Sequence, residues 1–267
     1  MPPVESNVEA NGARLHYRFD GPADAPVLVL SNSLGTNLSM WEPQIPALAA
    51  RFRVLRYDTR GHGQSSVTPG PYSMSQLGRD VVGLLDAVGI ERAHFCGLSM
   101  GGAIGMWLGI YAPDRISRLV LCNTAAKIGA TEMWNARIET VRTTGLGAVA
   151  ETQAQRWFTP AFIAKAPDVI ASMRQMIAST SPEGYAANCG AIRDMDQRET
   201  ISRIRARTLV IAGSHDPVIP GADVRYLADT IPGAKLVELD ASHLSNVEAA
   251  DEFTKALLNF LTEPEAK

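Results

Sequence analysis

The chain has 267 residues, 46% hydrophobic and 20% charged, with 22 Gly and 16 Pro, a composition that excludes disordered and collagen-like proteins. Its 25 basic and 28 acidic residues give a net charge of −3, and neither sign forms a block. No electrostatic footprint for nucleic acid or an anionic membrane is present, so a small-molecule partner is expected.

The N-terminal stretch MPPVESNVEANG lacks the basic and apolar regions of an export signal. No stretch approaches the roughly 18 apolar residues of a membrane span, so a cytoplasmic protein is expected. Residues 8–19 alternate around the Asn11-Gly12 turn signal and predict a β-hairpin. Short apolar runs follow: Val27 to Leu30, Val54-Leu55, His94-Phe95-Cys96 and Leu119 to Cys122. Runs of this length bounded by turn residues fit central strands of a sheet covered on both faces. Between them, residues 74–88 carry Leu77, Val81, Leu84 and Leu85 on one helical face. The alternation predicts an α/β fold with a mostly parallel, doubly wound sheet.

That rhythm stops near Ala125 and returns at Thr208 to Ile211; the segment between is helix-prone and carries Trp134 and Trp157. A further strand at Leu236 to Leu239 and a last helix over residues 249–261 complete the pattern. Cys96, Cys122 and Cys189 are an odd number without paired spacing. They are expected to be reduced and structural, as in a cytoplasmic protein.

The strongest chemical signal is Gly97-Leu98-Ser99-Met100-Gly101, preceded by an apolar run and followed by Gly102. A nucleophile elbow needs this arrangement: a strand turns sharply into a helix, glycines relieve crowding, and the serine rises above the sheet. A nucleotide-binding turn is the competing reading. However, the Gly-x-Gly-x-x-Gly and Gly-Lys-Ser/Thr patterns are both missing. A serine hydroxyl needs a base, and the base a carboxylate to fix its tautomer. Asp216 follows the run ending at Gly213, and His243 follows the last strand, giving the order Ser99, Asp216, His243. Asp240 is the competing acid. His215 and His62 are expected in a loop and a turn, and His16 and His94 on strand faces. Acyl transfer also needs oxyanion donors, expected from the Met100 N–H and from the loop over residues 31–36.

With these residues in place, the chain resembles the α/β-hydrolase family over essentially its whole length. The segments Tyr57 to Ser65 and Gly213 to Asp216 also fall in family order. More narrowly it resembles the 3-oxoadipate enol-lactonases, through residues 31–36 (SNSLGT) with Trp41 and residues 242–248 (SHLSNVE). Asn32-Ser33 replaces the His-Gly of most relatives, and Ala249-Ala250 stands where Gln-Pro is expected. The resemblance implies an eight-stranded sheet, an inserted helical cap and Leu34 as the second oxyanion donor. It also implies hydrolysis of 3-oxoadipate enol-lactone in protocatechuate catabolism. No metal or organic cofactor is implied, and no His/Cys cluster has zinc-ligand spacing.

Such a substrate carries a carboxylate, for which an arginine fork is the natural partner. Trp134 and Arg137 are the expected pair, with Arg156-Trp157 as a second candidate. The competing reading makes Arg137 a solvated helix residue and Trp134 a packing residue. Ser99 precedes the helical segment while Asp216 and His243 follow it. Residues 1–124 and 201–267 are therefore expected to form one core, with 125–200 an inserted cap. A homo-oligomer is compatible with this pattern. Rival functions are a general carboxylesterase or perhydrolase of the same fold and, from another class, a catalytically silent ligand-binding receptor.

Overall fold

The computed structural model describes residues 4–264. The hairpin is β1 (Val4–Ala10) and β2 (Ala13–Asp20), turned by Asn11 at φ 49° and Gly12 at φ 74°. Two successive positive φ angles are what a two-residue Asn-Gly turn requires. The hairpin is longer than its apolar alternation suggests, because polar ends also pair. The other strands are β3 (Val27–Ser31), β4 (Arg53–Tyr57), β5 (Ala93–Leu98), β6 (Ile116–Cys122), β7 (Arg207–Gly213) and β8 (Lys235–Leu239). They form one eight-stranded sheet in the order β1-β2-β4-β3-β5-β6-β7-β8. Pairing is antiparallel from β1 through β2 to β4 and parallel from there on.

The helices are α1 (Ile45–Leu48), α2 (Met74–Ala87), α3 (Met100–Tyr111), α4 (Thr131–Thr144), α5 (Gly147–Trp157), α6 (Pro160–Lys165), α7 (Pro167–Ala178), α8 (Pro182–Asp194), α9 (Gly221–Thr230), α10 (Ser245–Glu248) and α11 (Ala250–Thr262). At the start of α2 the Ser73 hydroxyl accepts the Gln76 N–H at 3.1 Å, satisfying one of the open donors of a first turn. Leu77, Val81, Leu84 and Leu85 on its inner face are all buried. The expected final helix over residues 249–261 is α11, preceded by the short α10. Helices α4 to α8 lie between β6 and β7 in sequence, yet those strands are neighbours, paired from Leu119 with Thr208 to Cys122 with Ile211. The sheet thus contains strands from both flanks of the helical segment.

Strand β4 extends beyond its apolar pair because Arg56 is a buried strand residue. Its Nε and Nη2 donate to Asp20 Oδ2 of β2 at 2.9 and 2.7 Å. A second buried pair ties the loop after β4 to α2: Arg60 Nε donates to Asp80 Oδ2 at 2.8 Å and Nη2 to Oδ1 at 2.5 Å. Asn11 Nδ2 of the hairpin turn reaches the same Asp80 Oδ1 at 2.7 Å. Both charged side chains are 2% exposed, so losing one partner leaves the other uncompensated in a poor solvent for charge. Asp80→Ala is expected to cost about 3–5 kcal/mol of stability. Urea unfolding measures it, and a loss under about 1 kcal/mol, the range of an exposed pair, would contradict this account.

Candidate active site

The strand order places the site. From β3 the chain moves outward to β4, then crosses to β5 on the other side of β3. The segments following β3 and β5 therefore separate at the carboxyl edge and open a crevice, where open α/β sheets bind ligands. One wall carries residues 31–36 and the other Ser99.

Ser99 stands between β5 and α3 with φ 57° and ψ −112°, a conformation that costs a non-glycine residue on the order of 1–3 kcal/mol. Neighbouring contacts impose it. The Ser99 N–H donates to the Cys122 carbonyl at 2.8 Å, and its own carbonyl accepts from Thr124 Oγ1 at 2.8 Å. A Cβ at Gly97 would stand 2.1 Å from the Gly101 oxygen, and one at Gly101 2.2 Å from the Ser31 oxygen. Only glycine permits α3 to start this close to β3 and β5.

His243 Nδ1 and Asp216 Oδ2 are 2.8 Å apart, and both side chains are 2% exposed. With Asp216 ionised, Nδ1 carries the hydrogen and Nε2 is left as the basic nitrogen. The Asp216 carboxylate also accepts from Val218 N at 2.7 Å, Ile219 N at 3.1 Å and Asn123 Nδ2 at 3.1 Å. Burial opposes its ionisation, but the nearby His243 and these donors outweigh burial and hold the carboxyl below its ordinary value. Asn123, at φ 45°, further donates to the Ser242 carbonyl at 3.2 Å and accepts from Ser245 Oγ at 2.6 Å. It thereby braces the Asp216 loop against the His243 loop. Asp240 makes a different contact: its Oδ1 lies 2.8 Å from Nε2 of exposed His215.

Leu34 and Met100 are buried, and the backbone N–H of neither has an acceptor among the described residues. Unpaired buried donors are uncommon, and these two border the crevice from its opposite walls. The loop carrying Leu34 is pinned behind: Asn32 Nδ2 donates to the Tyr57 carbonyl at 2.8 Å, and Asn32 Oδ1 accepts from Trp41 Nε1 at 2.9 Å. His62 does more than hold its own turn, because its Nε2 accepts the Gly35 N–H at 2.9 Å.

Helices α4, α5 and α8 close the crevice. The resulting cavity is lined by Ser33, Leu34, Ser99 and His243 below, and by Trp134, Arg137, Gln153, Trp157 and Tyr185 above. Its free space is about 20 Å³, room for about one water. Arg137 lies 5.0 Å from the centre of the Trp134 ring and has no carboxylate partner among the described residues. Trp134 both lines the cavity and packs, donating through Nε1 to the Ile128 carbonyl at 2.6 Å. Arg156 is not a pocket residue. Its Nη2 turns outward to the Pro217 carbonyl at 3.3 Å, so only Trp157 of that pair faces the cavity. Glu248 accepts from Ser242 N at 2.7 Å and Thr159 N at 3.1 Å, joining the turn between α5 and α6 to the His243 loop. Among the described residues no group of His, Cys, Asp and Glu has metal-site geometry.

A family model described as the alpha/beta hydrolase fold matches residues 26–250. The chain belongs to this family. Among relatives of this hydrolase, a protein of Acinetobacter baylyi named 3-oxoadipate enol-lactonase 2 is 46% identical over 253 residues, 95% of each chain. The crystal structure of an enol-lactonase from Burkholderia xenovorans superposes with a TM-score of 0.95 at 52% identity, covering 97% of this chain and all of that one. A thermophilic esterase from Thermogutta terrifontis, solved with malate bound, gives a TM-score of 0.90 at 30% identity over 97% of this chain and 98% of its own.

Sequence reasoning on this hydrolase missed Asn123, Gln153, Tyr185, Glu248 and the reach of His62. Gln153 alone carried a local signal, lying one helical turn before Trp157 and hence on the same face. Burial lowers His62 to about 4 and, with the charges of Arg118 and Arg92, lowers His94 to about 4. Unfolded, each takes up its proton near the ordinary value of about 6.5. Between those values the unfolded chain binds more protons, so both contributions to stability fall as pH drops from 6.5 to 4. His62→Gln is expected to flatten the stability profile in that window, measured by urea unfolding at several pH values. An unchanged slope would contradict the buried neutral imidazole.

Proposed function

We propose that this hydrolase opens 3-oxoadipate enol-lactone to 3-oxoadipate, with Ser99, His243 and Asp216 as the catalytic triad. The observation that carries the reading is the shared cavity. Ser99 and His243 line one small cavity with Arg137, which has no carboxylate partner among the described residues. The 46% identity to a named enol-lactonase supports the same substrate class.

In this mechanism His243 Nε2 takes the Ser99 proton as Oγ attacks the lactone carbonyl. The negative charge forming on the carbonyl oxygen meets the Leu34 and Met100 N–H groups, which have no other partner to give up. The first turn of α3 adds a favourable field. Collapse expels the ring oxygen as an enol protonated by His243, and the enol then becomes the ketone. An enol leaves more readily than an alkanol, so the acyl-enzyme forms easily. Water activated by His243 hydrolyses that ester, regenerating Ser99 and releasing the second carboxylate. Asp216 keeps the imidazole in the required tautomer and stabilises its protonated form. No metal or organic cofactor enters any step.

Residues 125–200 act as the cap in this reading, with Trp134, Arg137 and Trp157 lining the substrate pocket. The guanidinium of Arg137 meets the substrate carboxylate in a space from which water is largely excluded. Three free, buried cysteines favour a cytoplasmic setting, and protocatechuate catabolism is the route that would supply the lactone.

Loss of enol-lactone absorbance, set beside p-nitrophenyl acetate hydrolysis, tests the reading. A strong preference for the lactone is expected, and equal efficiency on both would favour a general carboxylesterase. Ser99→Ala is expected to lower kcat on the order of 10⁶-fold, with substantial residual turnover contradicting the triad. Arg137→Ala should raise KM for the lactone about 10-fold or more; an unchanged KM would remove Arg137 from the carboxylate site.

A further inference from the structure

Among the described residues, every buried amide side chain but one makes at least one hydrogen bond to protein. Asn32, Gln44, Asn123, Asn188, Gln197 and Asn246 are buried, and each hydrogen-bonds to the protein. Gln153 is 5% exposed and makes no hydrogen bond to any described residue. Its amide is not sealed in protein, as Gln197 Oε1 and Asn246 Oδ1 are, but borders the cavity shared with Ser99 and His243. An amide with no protein partner bordering that cavity is free to bond a ligand oxygen entering it.

The position of Gln153 is fixed from the same helix. It lies one turn before Trp157 on α5, and the Trp157 carbonyl accepts the Leu244 N–H at 3.1 Å. The end of α5 is thus held against the histidine loop, and Gln153 stands about 6 Å back along the helix axis from Trp157, bordering the cavity.

We propose that Gln153 is a specificity-determining residue that donates from Nε2 to the substrate carboxylate, alongside Arg137. The proposal rests on the lactonase reading and extends it. The enol-lactone has no hydrogen-bond donor, so only the Gln153 NH₂ group can serve it. Its carbonyl oxygen is served by the Leu34 and Met100 N–H groups and its ring oxygen by His243. Only the carboxylate has capacity left, and a carboxylate accepts more hydrogen bonds than Arg137 alone supplies. Arg137 provides charge and Gln153 a neutral donor, so the pair selects a monoanion without placing a second buried cation beside the first.

The test compares two lactones that share the reacting ring, 3-oxoadipate enol-lactone and α-angelica lactone, which carries a methyl group in place of the carboxymethyl arm. The ratio of their kcat/KM values reads carboxylate recognition separately from chemistry. Gln153→Leu is expected to lower that ratio about 10- to 100-fold, mainly through KM for the acid, and Gln153→Glu to lower it further by repulsion. Equal losses on both lactones, or no change in the ratio, would overturn the proposal. If the wild-type protein does not open the enol-lactone, the lactonase reading fails. Inhibition of p-nitrophenyl acetate hydrolysis by adipate then reads Gln153 independently. Weaker inhibition in Gln153→Leu supports the donor role, and unchanged inhibition overturns it.

Discussion

The site depends on the close crossing of α3 over the ends of β3 and β5. Gly97 and Gly101 leave no room for a side chain between them and the backbone oxygens of Gly101 and Ser31, and Ser99 is forced to φ 57° as a result. The strain does useful work, because it lifts the hydroxyl out of the sheet while leaving the Met100 N–H without a helical partner. The same crossing brings the loop after β3 within reach, with Leu34 N–H on the facing wall. The nucleophile and oxyanion donors of the proposed mechanism are thereby arranged by one local constraint.

The remaining chemistry is delivered from far along the chain by β7 and β8. Asp216 and His243 sit in separate loops, and Asn123 at the end of β6 bonds to both, with Ser245 fixing its amide. Donors surround the carboxylate, so it stays ionised despite burial, and this ionisation sets the tautomer of His243. Glu248 extends the bracing to the helical layer by holding Ser242 and Thr159 together. A shift of the helices is therefore coupled to the histidine loop through hydrogen bonds to backbone N–H groups.

In the proposed function the helical layer accounts for selectivity without a charged surface. A net charge of −3 offers a distant anion no general attraction, and salt would screen any that existed. Inside the cavity Arg137, without a carboxylate partner among the described residues, would be screened far less, and the donor proposed at Gln153 would add direction to its charge. Recognition is concentrated where water is sparse.

The fold class, the elbow and the order Ser99, Asp216, His243 were legible in the sequence because each is a local pattern. Apolar runs mark buried strands, and a small-residue motif between strand and helix marks a turn that few other residues fit. Buried charge broke the pattern at β4, where Arg56 is satisfied by Asp20 from another strand. Tertiary structure alone paired Asp240 with His215, turned Arg156 outward and assigned Asn123, Gln153, Glu248 and His62 their places. Those roles depend on partners brought together by sheet order and helix packing, such as Gly35 for His62, 27 residues away, and Ser245 for Asn123, 122 residues away. Hydrophobic periodicity records which face of an element is buried. It carries no record of which polar group waits on the other side.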